Sequence, residues 1–115
     1  MSALLDSLRR ICGDAHVLTH EDPVTDLSAW EQDWRKRFKG HVLAVVRPAN
    51  VQEVAAVVKA CANTFTSIVP QGGNTGLVVG SVPDASGQQV VLSLQRMNHV
   101  RSLDTHNLTV VAEAG

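Results

Sequence analysis

The residues of this 115-residue chain best suited to chemistry lie in one short run, Pro70-Gln71-Gly72-Gly73-Asn74-Thr75-Gly76. Three glycines follow an apolar, strand-like stretch and a proline, so the backbone there can turn sharply and expose its amides. Glycine takes positive φ without steric cost, and successive amides in such a turn converge on a concavity that holds an anion. Asn74 and Thr75 add an amide and a hydroxyl able to donate to phosphate or sugar oxygens. The run lacks the lysine of the G-x-x-x-x-G-K-[ST] phosphate loop and the spacing of the G-x-G-x-x-G dinucleotide fingerprint. Backbone N–H groups, not a charged side chain, must therefore carry any phosphate bound here. Spacing alone leaves a second reading open, a tight connection between strands with no ligand.

Other chemistry-bearing residues offer less. His16 and His20 stand four apart, a spacing that shares a helical face, but no third ligand is apparent nearby and no metal site is expected. His41, His99 and His106 are scattered in turns. Cys61 falls on an apolar helical face and reads as a small hydrophobe, whereas Cys12 beside a helix end leaves reactivity open. Arg35, Lys36, Arg37 and Lys39 read as a solvated face. Ser81 and Ser93 have no His and Asp in an elbow-like setting, so nucleophilic catalysis has no support.

The elements that must position the glycine-rich run are legible in outline. Leu4, Leu5, Leu8 and Ile11 recur at helical spacing and predict a short amphipathic helix over Ala3–Ile11, with Gly13 as a left-handed cap. From His16 to Gly40 the pattern loses its period and reads as an irregular entry segment. The continuous β-branched run from Val42 to Val46 predicts a strand covered on both faces and stopped by Pro48. Asn50 and Glu53 form a capping-box pair that starts a helix with Val51, Val54, Ala55, Val58 and Cys61 on its apolar face. Thr66–Val69 reads as a second strand closed by Pro70, completing a right-handed β-α-β unit. Further strands are expected over Gln89–Leu94 and Leu108–Glu113, with a bend at Met97–His99 and a short strand over Val100–Leu103. The sequence ends directly after a strand, and a chain of this kind is expected to be part of a larger fold whose last strands carry uncovered edges.

Composition removes several function classes. Apolar residues make up 44% and charged residues 18%, which suits a folded chain and excludes disorder. A net charge of −1 is too balanced to attract nucleic acid or an anionic membrane by field alone. Two Phe, two Trp and no Tyr leave little with which to stack unpaired bases. The uncharged stretch from Ala60 to Pro83 is interrupted by Pro70 to Asn74, so no transmembrane segment is expected. Arg9 and Arg10 follow the apolar residues of the first helix, the wrong order for a secretory signal, and two cysteines 49 positions apart suggest a reducing, cytoplasmic setting.

The ordered set Val46-Arg47-Pro48, Val51-x-Glu53-Val54, Pro70 through Val78, Gly80-Ser81-Val82-Pro83, Leu92-Ser93-Leu94-x-Arg96-Met97-Asn98 and Glu113-Ala114-Gly115 resembles the FAD-binding domain of the vanillyl-alcohol oxidase and p-cresol methylhydroxylase flavoproteins. Within that superfamily it is most similar to the D-lactate and D-2-hydroxyglutarate dehydrogenase branch, and the match runs from about Trp34 to Gly115. The resemblance implies an α+β fold, the N-terminal portion of a PCMH-type FAD-binding domain. Residues 1–40 would be a helix and entry segment, and 41–115 the first, incomplete part of the flavin domain.

It further implies a pyrophosphate loop at Pro70, Gln71, Gly72, Gly73, Asn74, Thr75 and Gly76, a second stretch along the cofactor at Gly80 and Ser81, and a strand end at Gly115 that approaches the flavin. Relatives with a histidyl-flavin bond place His right after the paired glycines; here Asn74 stands there, implying noncovalent FAD. The branch usually has Gly where this chain has Val79. The implied activity is oxidation of a D-2-hydroxy acid to the 2-oxo acid. Substrate and catalytic residues would lie beyond Gly115, so the 115 residues alone would be inactive and would associate with the remaining half. The alternative is a noncatalytic nucleotide-binding or interaction module.

Overall fold

A computed structural model describes residues 2–115. The first helix, α1, spans Ser2–Cys12. Its Leu4, Leu5, Leu8 and Cys12 are buried, as the helical spacing requires. Gly13 ends it at φ 91°, ψ 149°, a positive-φ conformation but not the left-handed helical one expected. A single 3₁₀ turn leads to a two-residue strand, β1 (Val17–Leu18). The segment that lost its period in sequence contains one short helix, α2 (Ser28–Glu31).

The continuous apolar run folds as β2 (Ala44–Val46), every residue of which is buried. Ala44 and Val46 face a core shared with α1, while Val45 faces a second cluster with Leu27, Val42, Val69 and Val91. Burial on both faces explains why the run shows no alternation. Helix α3 (Val51–Asn63) begins where the capping pair predicts, with the Glu53 amide donating to Asn50 Oδ1 at 2.9 Å. The Glu53 carboxylate reaches back one residue further than the capping box requires, to the Ala49 amide.

The buried stripe of α3 differs from the expected one. Val57 and Cys61 are fully buried and Val54 packs against them, whereas Val51 and Val58 are 56% and 46% exposed. Valines 51, 54, 57 and 58 spread over about a third of the helix circumference, wider than the buried strip, so the contact with α1 and the sheet selects which of them turn inward.

Strand β3 (Ile68–Gln71) carries Pro70 inside it, where the sequence suggested that Pro70 ends the strand. It lies at the sheet edge, the place where a residue without an N–H is tolerated. Strand β4 (Val90–Ser93) is buried throughout. The sheet order is β1-β2-β4-β3, with β4 parallel to both β2 and β3 and β1 antiparallel to β2. The β-α-β connection through α3 therefore skips over the central strand. The last two strands, β5 (Val100–Asp104) and β6 (Thr109–Ala112), pair only with each other. Val100, Leu103, Leu108, Val110 and Val111 on this hairpin are all exposed.

Candidate functional site

Ligands of parallel sheets gather beyond the carboxyl ends of the strands. The glycine-rich run starts there, immediately after β3. Gln71, the last residue of β3, is buried, and its Nε2 donates both to Trp30 O at 2.9 Å and to Ser81 O at 2.8 Å. Asn74 Nδ2 donates to the carbonyls of Ala29 and Gln32 at 3.1 and 2.8 Å, and its Oδ1 accepts from Ser81 Oγ at 2.8 Å. Gln71, Asn74 and Ser81 thus pin both ends of the 71–81 loop to each other and to α2.

This corrects the expectation that the Asn74 amide points toward phosphate: both of its N–H groups are already donating within the chain. The reason is positional. The short helix α2 ends beside the loop with its last carbonyls unpaired, and Asn74 supplies the donors they lack. Thr75 keeps the expected role available, for its exposed hydroxyl has no hydrogen-bond partner among the described residues.

With the side chains occupied in shaping the loop, the backbone is left free. None of the amides from Gly72 through Ser81 donates to an oxygen among the described residues, and most of the segment is exposed. The positive-φ positions are Asn74 (54°) and Val79 (66°), and no glycine of the loop has one. The sharp turning expected of the glycines is done by Asn74, a residue type that enters the left-handed region at low cost and is held there by long-range side-chain hydrogen bonds, and by Val79, which is β-branched and has no such help.

Gly72 is required for another reason: a Cβ there would lie 2.9 Å from the carbonyl oxygen of Ala114. A Cβ on Gly115 would lie 1.6 Å from Leu94 O. Gly73, Gly76 and Gly80 meet nothing closer than 3.9 Å and leave open space along the loop.

The approach of Ala114 to Gly72 is set by Glu113. Its carboxylate accepts from the His99 amide at 3.0 Å, from His99 Nδ1 at 2.8 Å and from the Arg101 guanidinium at 3.0 Å. Arg101 first, then the amide and ring of His99, pull the Glu113 carboxyl down to about 2. Its own amide donates to His99 O and the Gly115 amide to Met97 O, both at 2.9 Å, so the segment 113–115 is laced to the bend after β4. The segment 113–115 is thereby packed against the ends of β3 and β4, with the Ala114 carbonyl close beside Gly72 and the Leu94 carbonyl close beside Gly115.

The remaining candidates separate from this site. His16 and His20 do not share a helix: His16 sits before β1 and bonds the Arg47 guanidinium at 3.1 Å, while His20 lies beyond β1. Cys12 is buried and its thiol is pushed up to about 11 by burial, then by the nearby Glu53, the setting of a packed rather than a nucleophilic thiol. Cys61 is buried with a thiol raised by the same desolvation. Arg35, Lys36, Arg37 and Lys39 are exposed.

Sequence reasoning missed the part played by α2, whose carbonyls hold the loop, and the buried Glu31 within it. A four-residue helix has too few turns to show a period, and nothing in the local sequence marks Glu31 as buried.

A loop of unpaired amides at the end of a parallel sheet can meet an anion, and that is the class of site these elements offer. Residues 42–115 match the family model described as FAD binding domain, and the chain belongs to that family. The D-2-hydroxyglutarate–pyruvate transhydrogenase of Saccharomyces cerevisiae is 36% identical over 93% of this chain and 21% of its own length. The D-2-hydroxyglutarate dehydrogenase of Stutzerimonas stutzeri is 33% identical over 98% of this chain and 23% of its own. Among solved structures, p-cresol methylhydroxylase with substrate bound superposes with a TM-score of 0.66 at 26% identity, covering 90% of this chain and 20% of that one. The chain spans about a fifth of the length of the curated relatives it matches.

Proposed function

We propose that this chain forms the first part of the FAD cradle in a dehydrogenase that oxidises a D-2-hydroxy acid, of the D-2-hydroxyglutarate or D-lactate kind, to the 2-oxo acid. The observation that carries the reading is the run of unsatisfied amides from Gly72 to Ser81, lying where a diphosphate would otherwise have to be held by charge. The residues fit the group on a second count. Gly73, Gly76 and Gly80 place no side chain along the loop and meet nothing closer than 3.9 Å, so the space beside its amides is open.

In this reading the amides of Gly72, Gly73, Asn74, Thr75 and Gly76 hold the pyrophosphate, with the Thr75 hydroxyl as a further donor. Pro70 and Gln71 deliver the loop from β3, and Gly80 and Ser81 run along the cofactor. Gly115 carries the strand end toward the flavin. The chemistry that bound FAD supplies is acceptance of the hydride equivalent released when the hydroxyl-bearing carbon becomes a carbonyl. The chain's own contribution is positional: fixed dipoles hold the phosphates without a lysine, and Glu113 locks the segment that faces them. Asn74 stands where a histidyl linkage would form and its amide is bonded within the chain, which supports noncovalent attachment.

Residues 41–115 are then the first part of the flavin domain and 1–40 the entry segment beneath it. The exposed apolar side chains of the β5–β6 hairpin support association with the remainder of such a domain. Two free cysteines support a cytoplasmic location, and among the described residues no helix is long and apolar enough to cross a membrane.

FAD added to the purified chain should have its fluorescence quenched and should raise the melting temperature. Absence of both effects in the protein that carries the whole flavin domain would remove the cradle. The encoded protein, mixed anaerobically with D-2-hydroxyglutarate, D-lactate and their L-enantiomers, should lose visible flavin absorbance with a D acid only. Bleaching by the L acids, or by none, would remove the assignment of substrate class.

A further inference from the structure

Outside the cradle, one buried carboxylate is not used by any part of the flavin reading. Glu31, in α2, is 2% exposed. Its Oε2 accepts from the Val42 amide at 2.8 Å and lies 2.7 Å from His20 Nε2 and 4.0 Å from His41 Nδ1. The two imidazoles stack, with ring centres 4.2 Å apart and planes inclined by 7°. One donor atom from each of the three residues lies within 4.8 Å of the other two. No Lys or Arg among the described residues pairs with Glu31. A buried carboxylate without a fixed cation is costly, and a cation at this point would relieve that cost.

We propose that His20, Glu31 and His41 bind a divalent transition-metal ion, with Zn²⁺ as the best match, through His20 Nε2, His41 Nδ1 and the Glu31 carboxylate. Two imidazoles and one carboxylate form a three-ligand zinc set that leaves a fourth tetrahedral position for water. Magnesium and calcium prefer all-oxygen surroundings and are poorly served here.

The backbone already brings the three ligands together from separate segments. His20 follows β1. Glu31 is held by α2 and by its own carbonyl, which accepts from the Gly40 amide at 2.9 Å. His41 is fixed by donating its amide to Asp84 O and accepting from the Gly87 amide, at 2.8 and 3.0 Å.

What must change is local to the rings. Metal–ligand bonds of roughly 2.0–2.2 Å place donors of a tetrahedral site a little over 3 Å apart. His20 must therefore back away from Glu31, His41 must close in, and the parallel stack must fan open. Both imidazoles can turn, for their side chains are 39% and 58% exposed, while Glu31 stays anchored by Val42. The ion would tie together the segment after β1, the helix α2 and the segment leading into β2. Because it uses none of the cradle residues, the proposal stands or falls independently of FAD binding.

The test uses Zn²⁺ alone with the metal-free chain. Calorimetric titration, with a chelator competition to set the affinity, should give about one ion per chain and a raised melting temperature. Mg²⁺ at the same concentration should do neither. His41→Ala and His20→Ala should each weaken Zn²⁺ binding by roughly tenfold or more, since losing a ligand costs at least what losing its supporting partner does. Glu31→Gln should do the same; should that variant unfold, the two histidine variants at partly exposed positions decide the matter. Zn²⁺ should also shift the ring NMR signals of His20 and His41 and leave those of His99 and His106 in place. The proposal is overturned if no Zn²⁺ binds, if binding persists undiminished in the double variant His20→Ala/His41→Ala, or if the shifted rings are others.

Discussion

The Asn74 side chain shapes the loop in the absence of any ligand, and replacing it with glycine tests this directly. The exchange removes two donations to Ala29 and Gln32 carbonyls and one acceptance from Ser81 Oγ, at 3.1, 2.8 and 2.8 Å. Each such bond contributes about 0.5–1.5 kcal/mol net, and the half-buried setting argues for the lower half of that range. Glycine costs nothing at the φ of 54° that Asn74 adopts, so backbone strain does not enter the difference. The expected loss is about 2 kcal/mol, equivalent to about thirtyfold in the ratio of closed to open loop.

Asn74→Asp should be worse than Asn74→Gly, because it keeps the acceptor for Ser81 but sets a carboxylate oxygen against two carbonyls. Urea unfolding without FAD measures the first quantity, and flavin fluorescence titration shows whether affinity falls by a comparable factor. If Asn74→Gly unfolds in urea within about 0.5 kcal/mol of the parent, the side chain is not a clamp, and the earlier reading of it as a phosphate donor regains its place.

Three further outcomes follow from particular residues. Val79 is β-branched at φ 66°, so Val79→Gly should be more stable than Val79→Ala by about 1 kcal/mol in thermal melts, the reverse of the usual order; alanine at or above glycine would contradict the strain. Glu113 has its carboxyl lowered to about 2, so the lacing of 113–115 contributes fully above the ordinary carboxylate range and is lost as pH falls from there through about 2. NMR of the Gly115 amide during acid titration should report that window, and a transition near the ordinary value would refute it. Cys12 and Cys61 are buried with raised thiols and should resist alkylation at pH 8 until the chain is unfolded, as mass spectrometry would record; labelling of native protein would show the helix packing to be open.

Much of the fold was legible because its signals are local. The spacing of Leu4, Leu5, Leu8 and Ile11, the Asn50–Glu53 capping pair and the unbroken valine run before Pro48 each specify an element through neighbours a few residues away. The inward stripe of α3 was not fully legible, since its apolar arc is wider than the strip that α1 and the sheet cover. Pro70 was misread as a terminator because edge and centre strands look alike until their partners are known. In the candidate site, the turn after β3 was readable from Gly72, Gly73 and Gly76, and the missing lysine made backbone amides the donors to look for. The use of Asn74 was not, because its partners, Ala29 and Gln32, lie more than forty positions away in sequence.

The sequence by itself determined that a phosphate-sized anion would have to be met by amides at the end of a strand, because residue types decide which donors exist. Tertiary structure decided which of those donors remain available. Packing α2 against the loop consumes the Asn74 and Gln71 amides, and bringing Ala114 to 2.9 Å from where a Gly72 Cβ would stand makes glycine obligatory there. The same packing gathers His20, Glu31 and His41 from three unrelated stretches of chain. A hydrogen bond is spent on whichever acceptor arrives first, and which acceptor arrives is a matter of long-range contacts that no local pattern records.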